Sequence, residues 1–376
     1  MFGAVVDSSD AVESELSRGI RLDYRPELDG LRAIAVLLVI AFHFTSQAFP
    51  LRGGFIGVDL FFVLSGFLIT RLLFEEMAGT RAVSIGQFYL RRAARLLPAL
   101  ALVLLFVAVV AVVGGYFGSS AYIGIVSSTF YVSNWVRVFV NIAPLEHTWS
   151  LAIEEQFYIV WPILFVALFR RHKVASIRNA SIVIVASSAL ETAGRLLIGQ
   201  SANLLYNGTD SHGGLFLAMG CLLASTLPLS PCPALTRLAK LSKAALIPGV
   251  AVLVLLITSV RSSASFYYLG GFLVTALALV ALITSALTLG PLRRALSVAP
   301  IVWVGRLSYG LYLWHYVMLR CVPLILPNAT IGSFGTKPLA LVLTFGVATL
   351  SFYFVERPLR RAIRRRTRAL TPAAGS

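Results

Sequence analysis

The feature that most constrains this chain is a succession of apolar runs, each about as long as a bilayer is thick and most of them ended by a short basic cluster. A helix needs about 20 mainly apolar residues to cross the hydrocarbon core. On that ruler, spans fall near 31–49, 55–74, 96–117, 149–169, 181–199, 215–227, 244–260, 266–289, 301–325 and 339–355. The sixth is short and is expected to begin earlier, around His212. With 58% of residues hydrophobic and 13% charged, soluble-enzyme and DNA-binding readings fall away. The formal charge of +16 then speaks of membrane orientation, and no nucleic-acid partner is expected. Cys221, Cys232 and Cys321 have neither the spacing of a metal knuckle nor that of a disulfide framework, so no metal is expected. The first 25 residues lack the small-residue cleavage site of a secretory leader, and the first apolar run is expected to remain as a span.

One stretch, 122–140, is long enough to cross but carries Ser127, Ser128, Thr129, Ser133, Asn134 and Arg137. If it crosses, one strongly basic cluster must lie outside. If it does not, the clusters around Arg18–Arg32, Arg71–Arg95, Arg170–Arg178, Arg237–Lys243, Arg293–Arg306 and Arg357–Arg368 all lie inside, and only Arg52, Arg137, Arg195, Arg261, Arg320 and Lys337 lie outside or deep. The positive-inside tendency selects the second arrangement. The expected fold is therefore all-α: a polytopic membrane helical bundle of about ten transmembrane helices with one re-entrant or interfacial segment. Residues 1–25 are expected to be a cytoplasmic tail, 26–361 the membrane domain and 362–376 a basic cytoplasmic tail lying on anionic lipid headgroups. The segment 84–97, with Arg91, Arg92 and Arg95 beside Phe88, Tyr89, Leu96 and Leu97, reads as an amphipathic helix on the inner membrane surface.

Ionisable residues inside spans are costly, so each is a functional suspect. His43 and Arg32 lie on the first span eleven residues apart, nearly on one helical face and roughly 16 Å from each other along the axis. Asp59, Glu154 and Glu155 are expected at about the depth of His43, where a carboxylate would orient the imidazole as a general base. The alternative is that Asp59 and one of the glutamates only tie helices together by pairing with Arg137 or Arg195, and for Asp59 that is the preferred role. Arg92 and Arg95, three apart on one helix face, suit a phosphorylated group, and Arg91 stands beside them. Together these residues suggest a polyphosphate ligand at the inner surface whose thin reactive arm reaches along the first span to His43.

Several strings resemble one family. They are Leu28-Asp29-Gly30-Leu31-Arg32 through His43-Phe44, the run from Gly57-Val58-Asp59 to Ser65-Gly66-Phe67, Phe88-Tyr89-Leu90-Arg91-Arg92-Ala93-Ala94-Arg95, and Thr148-Trp149-Ser150 through Glu154-Glu155-Gln156-Phe157-Tyr158. Thr209-Asp210, Gly305-Arg306-Leu307-Ser308-Tyr309 through His315, and Glu356-Arg357-Pro358 agree with it. The chain is similar to the acyltransferase-3 family of bacterial integral-membrane O-acyltransferases from about Tyr24 to Arg361.

The resemblance implies transfer of an acyl group, usually acetyl, from cytoplasmic acyl-CoA to a hydroxyl of a cell-surface glycan or lipid-linked saccharide, at the inner membrane of a bacterium with both termini cytoplasmic. It implies essential roles for Arg32, His43, Arg92 and Arg95. His212 stands where the family usually has Arg. Some relatives carry a further hydrolase-like domain, so the acceptor is expected to be handled here by the spans and short loops or by a separate partner.

The expected mechanism docks the CoA phosphates on Arg92, Arg95 and Arg32, with Glu154 or Glu155 orienting His43. His43 either deprotonates the acceptor or carries the acyl group itself. Ser150 or Asn134 is a candidate oxyanion donor. His315, with Ser308 and Tyr309, is expected towards the inner half of the ninth span, in structural hydrogen bonding first and in CoA contact second. The competing class is a proton-coupled secondary transporter or a flippase of a lipid-linked glycan, against which stand the lack of an internal repeat and the arginine pair.

Overall fold

The computed structural model describes residues 24–45, 51–207, 210–226, 233–261, 264–325 and 335–369, and all regular structure among them is helical. Arg18, Arg21, Thr209, Cys232, most of the first expected tail and residues 370–376 of the second lie outside the described residues. The first helices are α1 (Pro26–Phe44), α2 (Ile56–Thr80) and α3 (Ile85–Gly114). Two short helices, α4 (Gly118–Thr129) and α5 (Ser133–Phe139), follow, and a 3-10 turn (Glu146–Thr148) opens α6 (Trp149–Leu197). Then come α7 (Ala202–Asn207), α8 (Asp210–Thr226), α9 (Pro233–Ser259), α10 (Phe272–Thr288), α11 (Gly290–Leu296), α12 (Ala299–Ile325), α13 (Thr336–Ser351) and α14 (Arg357–Ala369).

Among the described residues seven helical segments are long and apolar enough to cross a membrane, or eight if α11 and α12, bent by 65° at their junction, form one broken span. The expected ten would require two more. The candidates are α1, which carries Glu27, Asp29 and Arg32 in its first turns, and α8, which is only 17 residues long. As expected, α8 begins before His212. Side chains such as Val113, Phe139, Leu197, Ile247 and Phe354 stand exposed around the bundle, as they must where the solvent is lipid.

The run α6 cannot be straight. Gly213 touches Ile153 and its neighbour Gly214 touches Ser188, so residues about 50 Å apart along a straight helix both meet the start of α8. The chain therefore doubles back within α6, between the spans 146–170 and 174–197.

The segment 122–140 breaks into α4 and α5 at Phe130–Val132, where Tyr131 has a left-handed φ of 54°. Neither piece is long enough to cross. Ser127, Ser128, Ser133 and Asn134 are buried in protein, which is the re-entrant arrangement the charge distribution requires. The expected surface helix at 84–97, in contrast, is no separate element. It is the first part of the continuous helix α3, with Pro98 inside it, because Phe88, Ala94 and Leu96 are drawn into the interior.

Close helix approach fixes the layers. A Cβ on Gly66 would strike the Leu217 carbonyl, so α2 and α8 pack backbone to backbone beside α6. A Cβ on Gly305 would strike the Asp29 carbonyl, which seats the start of α12 on α1. That second contact holds Arg32 and Ser308 on facing helices.

Candidate active site

A cleft of about 860 Å³, counted to its open mouth, lies between α1, α2, α3, α6 and α12. Arg32, Arg92 and Arg95 all line it, which brings together from two helices the three arginines expected to act together. Arg92 donates to both Glu155 oxygens, at 2.9 Å from Nη2 and 3.4 Å from Nε, and its guanidinium lies over the Tyr158 ring. Glu154 accepts from the Ser65 and Tyr158 hydroxyls and lies 3.8 Å from Arg92 Nη2. Arg32 and Arg95 make no hydrogen bond or ion pair among the described residues. Two carboxylates thus answer three guanidiniums, leaving a net positive cleft with two uncommitted forks. Ser308, buried on the same wall, also has no hydrogen-bond partner for its hydroxyl among the described residues.

Arg91 does not join them. It is exposed on the other side of α3, where Glu76 at 3.0 Å and Gln87 at 3.3 Å hold it. One residue turns a helix by about 100°, which carries Arg91 away from the face that Arg92 and Arg95 share.

Glu154 and Glu155 are also displaced from their expected place, because they clamp Arg92 and do not flank His43. Counting depth from the outer surface assumes that α6 starts there. It starts inside the protein, after the buried turn Glu146–Thr148, so its second turn already reaches the arginines.

The neighbours of His43 are other rings. His315 Nε2 is 3.3 Å from His43 Nδ1, and Tyr316 packs on His43 at 5.1 Å between centroids. His147 lies 5.4 Å from both His315 and Tyr316. His315 is the seventeenth residue of the 27-residue α12, past its midpoint, and so meets His43 instead of lying in the inner half. His147, Tyr312 and Tyr316 escape sequence reasoning. The signal available was the polar string Glu146-His147-Thr148 just ahead of the α6 motif.

The arginine cleft and the histidine cluster touch without merging. Ser150 and Tyr312 line the cleft, share a hydrogen bond of 2.6 Å, and the Tyr312 hydroxyl also donates to the His147 carbonyl at 2.8 Å. His43 is not among the lining residues, so the expected open path ends one side chain short, at Tyr312 and His315. Because the turn Glu146–Thr148 and the start of α6 run antiparallel to α12, their polar residues pair in layers: Glu146 with Arg320, His147 with Tyr316, Ser150 with Tyr312.

Asp59 belongs to a third group. Its carboxylate meets His212 Nε2 at 2.8 Å and accepts from the Tyr267 hydroxyl at 2.7 Å, fully enclosed. Its partner is thus neither His43, Arg137 nor Arg195. The π turn Tyr267–Gly271, where Gly270 has a φ of 137°, delivers that tyrosine. Asn134 donates to Asp210 at 2.8 Å and accepts from Gln156 at 3.1 Å, which commits it to bracing α5 and leaves Ser150 as the oxyanion candidate.

The profile of a family described as an acyltransferase domain matches residues 25–356. The chain is 36% identical over 362 residues to the peptidoglycan O-acetyltransferase OatA of Listeria monocytogenes, covering 90% of this chain and 56% of that one. It is 35% identical to the O-acetyltransferase OatA of Staphylococcus aureus, covering 90% and 57%, and 36% identical to the putative peptidoglycan O-acetyltransferase YrhL of Bacillus subtilis, covering 90% and 55%. The chain thus spans little more than half the length of these relatives. No solved structure matches it. With most of its length inside that profile, the chain belongs to the acyltransferase-3 family.

Proposed function

We propose that this protein moves an acyl group, acetyl in the first instance, from CoA on the cytoplasmic side of a bacterial inner membrane to a hydroxyl of a glycan on the other side. Both termini are cytoplasmic in this reading. Peptidoglycan is the acceptor that the relatives' names supply. The observation that carries the reading is the pair of uncommitted guanidiniums, Arg32 and Arg95, in a cleft that leads towards His43.

Arg32 and Arg95 bind the CoA phosphates, since planar forks accept phosphate oxygens in pairs. Arg92 is held in place by Glu155 and Glu154 and adds to the positive field. The pantetheine arm follows the apolar wall of Leu64, Leu68 and Leu96 and stops at Ser150 and Tyr312. The Ser308 hydroxyl, with no partner among the described residues, pairs with an amide of that arm.

At His43 the tautomer follows from the acceptors around it. The Val39 carbonyl, 2.9 Å from Nδ1, requires Nδ1 to carry the proton, leaving Nε2 as the base. Nε2 takes the acceptor's hydroxyl proton as that oxygen attacks the thioester carbon. The carbon–sulfur bond breaks, and the thiolate recovers the proton from Nε2, so the products are the glycan ester and free CoA. The Ser150–Tyr312 pair stands nearest the thioester; because the Tyr312 proton is given to the His147 carbonyl, it is Ser150 that turns from Tyr312 to donate to the oxyanion.

The test is CoA-dependent thermal stabilisation of the full chain in detergent, alongside transfer of labelled acetyl from acetyl-CoA. Stabilisation that disappears in Arg32→Gln and Arg95→Gln supports the reading. No stabilisation of the wild type, or a rise indifferent to both substitutions, removes it and favours a transporter.

A further inference from the structure

Three polar side-chain atoms around the histidine cluster are shielded from solvent and have no hydrogen-bond partner among the described residues: His147 Nδ1, Glu146 Oε2 and Arg320 Nε. They lie within one constellation. Arg320 Nη2 approaches Glu146 Oε1 at 3.7 Å, too far for a hydrogen bond, so this pair is no tight structural tie. Arg137 Nη1 donates to the Glu146 carbonyl at 2.9 Å. The Tyr316 ring stands 5.1 Å from His43 and 5.4 Å from His147.

Its place along α12 sets it apart from the arginine cleft. Tyr312, Tyr316 and Arg320 follow one another at four-residue steps, about 6 Å each. Tyr312 lines the cleft, whereas Tyr316 and Arg320 lie beyond His43. The group also keeps access to the surroundings, with Arg320 at 30% and Glu146 at 19% side-chain exposure, in contrast to the sealed pair Asp59–His212.

The chemistry of the set narrows the ligand. The unpaired atoms include one donor, Arg320 Nε–H, and two acceptors, Glu146 Oε2 and His147 Nδ1, the latter because Nε2 donates to the Leu313 carbonyl. Only a ligand offering both donors and acceptors satisfies all three, and a hydroxyl is both at once. Arg137 and Arg320 both stand beside Glu146, and guanidinium forks pair with acidic groups, which favours a ligand with an acidic group. We propose that Arg137, Glu146, His147, Tyr316 and Arg320 form the acceptor subsite, which takes a hydroxyl-rich saccharide bearing a carboxylate and presents one of its hydroxyls to His43. The proposal rests on the acyl-transfer reading above. In it the hydroxyl proton passes to His43 Nε2 while the oxygen bonds to the acyl carbon and the thiol leaves.

The experiment uses the full chain in detergent and two soluble probes. One is the set of muramic-acid-containing glycan fragments released from peptidoglycan by a muramidase, and the other is the neutral tetramer of N-acetylglucosamine. Binding is read by saturation-transfer NMR, with CoA-dependent thermal stabilisation as a separate arm. The expected result is that wild type binds the acidic fragments in preference to the neutral tetramer. Arg320→Ala and Glu146→Gln then each weaken that binding about tenfold or more, with the CoA-dependent rise in Tm kept as proof of folding. Equal binding by wild type and both folded variants overturns the subsite, as does failure of the wild type to bind any saccharide. Should the CoA arm fail while the saccharide arm behaves as stated, the donor assignment falls and the subsite stands.

Discussion

His315 Nε2 lies 3.3 Å from His43 Nδ1, and the remaining contacts of the two rings fix the direction of that hydrogen bond. His315 Nδ1 is 2.6 Å from the Tyr312 carbonyl, which can only accept, so Nδ1 carries the proton and Nε2 has the free lone pair. His43 Nδ1–H is thus shared between the Val39 carbonyl and His315, and His43 Nε2 is kept unprotonated. His315 is a positioning residue in this arrangement.

Replacing His315 by Phe keeps an aromatic ring and removes the acceptor. The expected effect is a fall in kcat of about tenfold or more, equivalent to about 1.4 kcal/mol of transition-state stabilisation. KM for acetyl-CoA stays unchanged, and His315→Gln, which retains an acceptor oxygen, recovers part of the loss. Equal changes in kcat for Phe and Gln would reduce His315 to packing. Steady-state transfer kinetics decide this.

Arg32 of α1 and Arg91 and Arg95 of α3 should separate by function. A charge-assisted hydrogen bond to phosphate contributes about 1.5–3 kcal/mol, so Arg95→Gln should raise the Kd for CoA by about 10–100-fold. Arg32→Gln should match it. Arg91→Gln should leave Kd within about twofold, because Arg91 is paired with Glu76 outside the cleft. Calorimetric titration with CoA is the measurement.

Asp59 and His212 are expected to govern stability. Breaking a buried hydrogen-bonded pair by removing one partner costs about 3–5 kcal/mol when it is ionic and about 1–3 kcal/mol when it is neutral. Asp59→Ala and His212→Ala should therefore each lower Tm by several degrees, and the double variant should cost less than the sum. A double variant that is fully additive would show that the two residues act independently.

The contact at Gly66 allows a sharper test of the fold. A methyl group there meets the Leu217 carbonyl on α8, so Gly66→Ala should force α2 and α8 apart and lower Tm, whereas Gly79→Ala, in open space, should be neutral or slightly stabilising. Thermal unfolding of the two variants side by side checks this.

What the sequence revealed and what it concealed have a common physical origin. Polar residues in apolar runs are costly, so Arg32, His43, Asp59, Arg92 and Arg95 stand out without any structure. The helical repeat groups Arg92 with Arg95, and only the packing of α1 against α3 adds Arg32 to the same cleft. Charge sorting also finds the re-entrant segment, because a crossing there would place a basic cluster on the wrong side.

Depth was the quantity the sequence could not supply. Counting residues from an interface assumes that each span starts there, and α6 violates the assumption by starting from a turn whose His147 and Thr148 are buried. That one displacement moves Glu154 and Glu155 from His43 to Arg92 and brings His147, which lies just ahead of the span expected at 149–169, into the ring cluster around His43. The same count places Asp59 near His43, whereas its helix-tying partner is His212, at a helix start whose location depends on the fold back within α6.

The account stands or falls on whether a CoA thioester bound at Arg32 and Arg95 reacts at His43, past the Ser150–Tyr312 pair. Single-turnover transfer from labelled acetyl-CoA by the His43→Ala protein, with CoA binding measured on the same sample, tests this most directly. The predicted result is wild-type CoA affinity with transfer reduced by a factor of about 100 or more. Transfer at the wild-type rate by a folded, CoA-binding His43→Ala protein would contradict it.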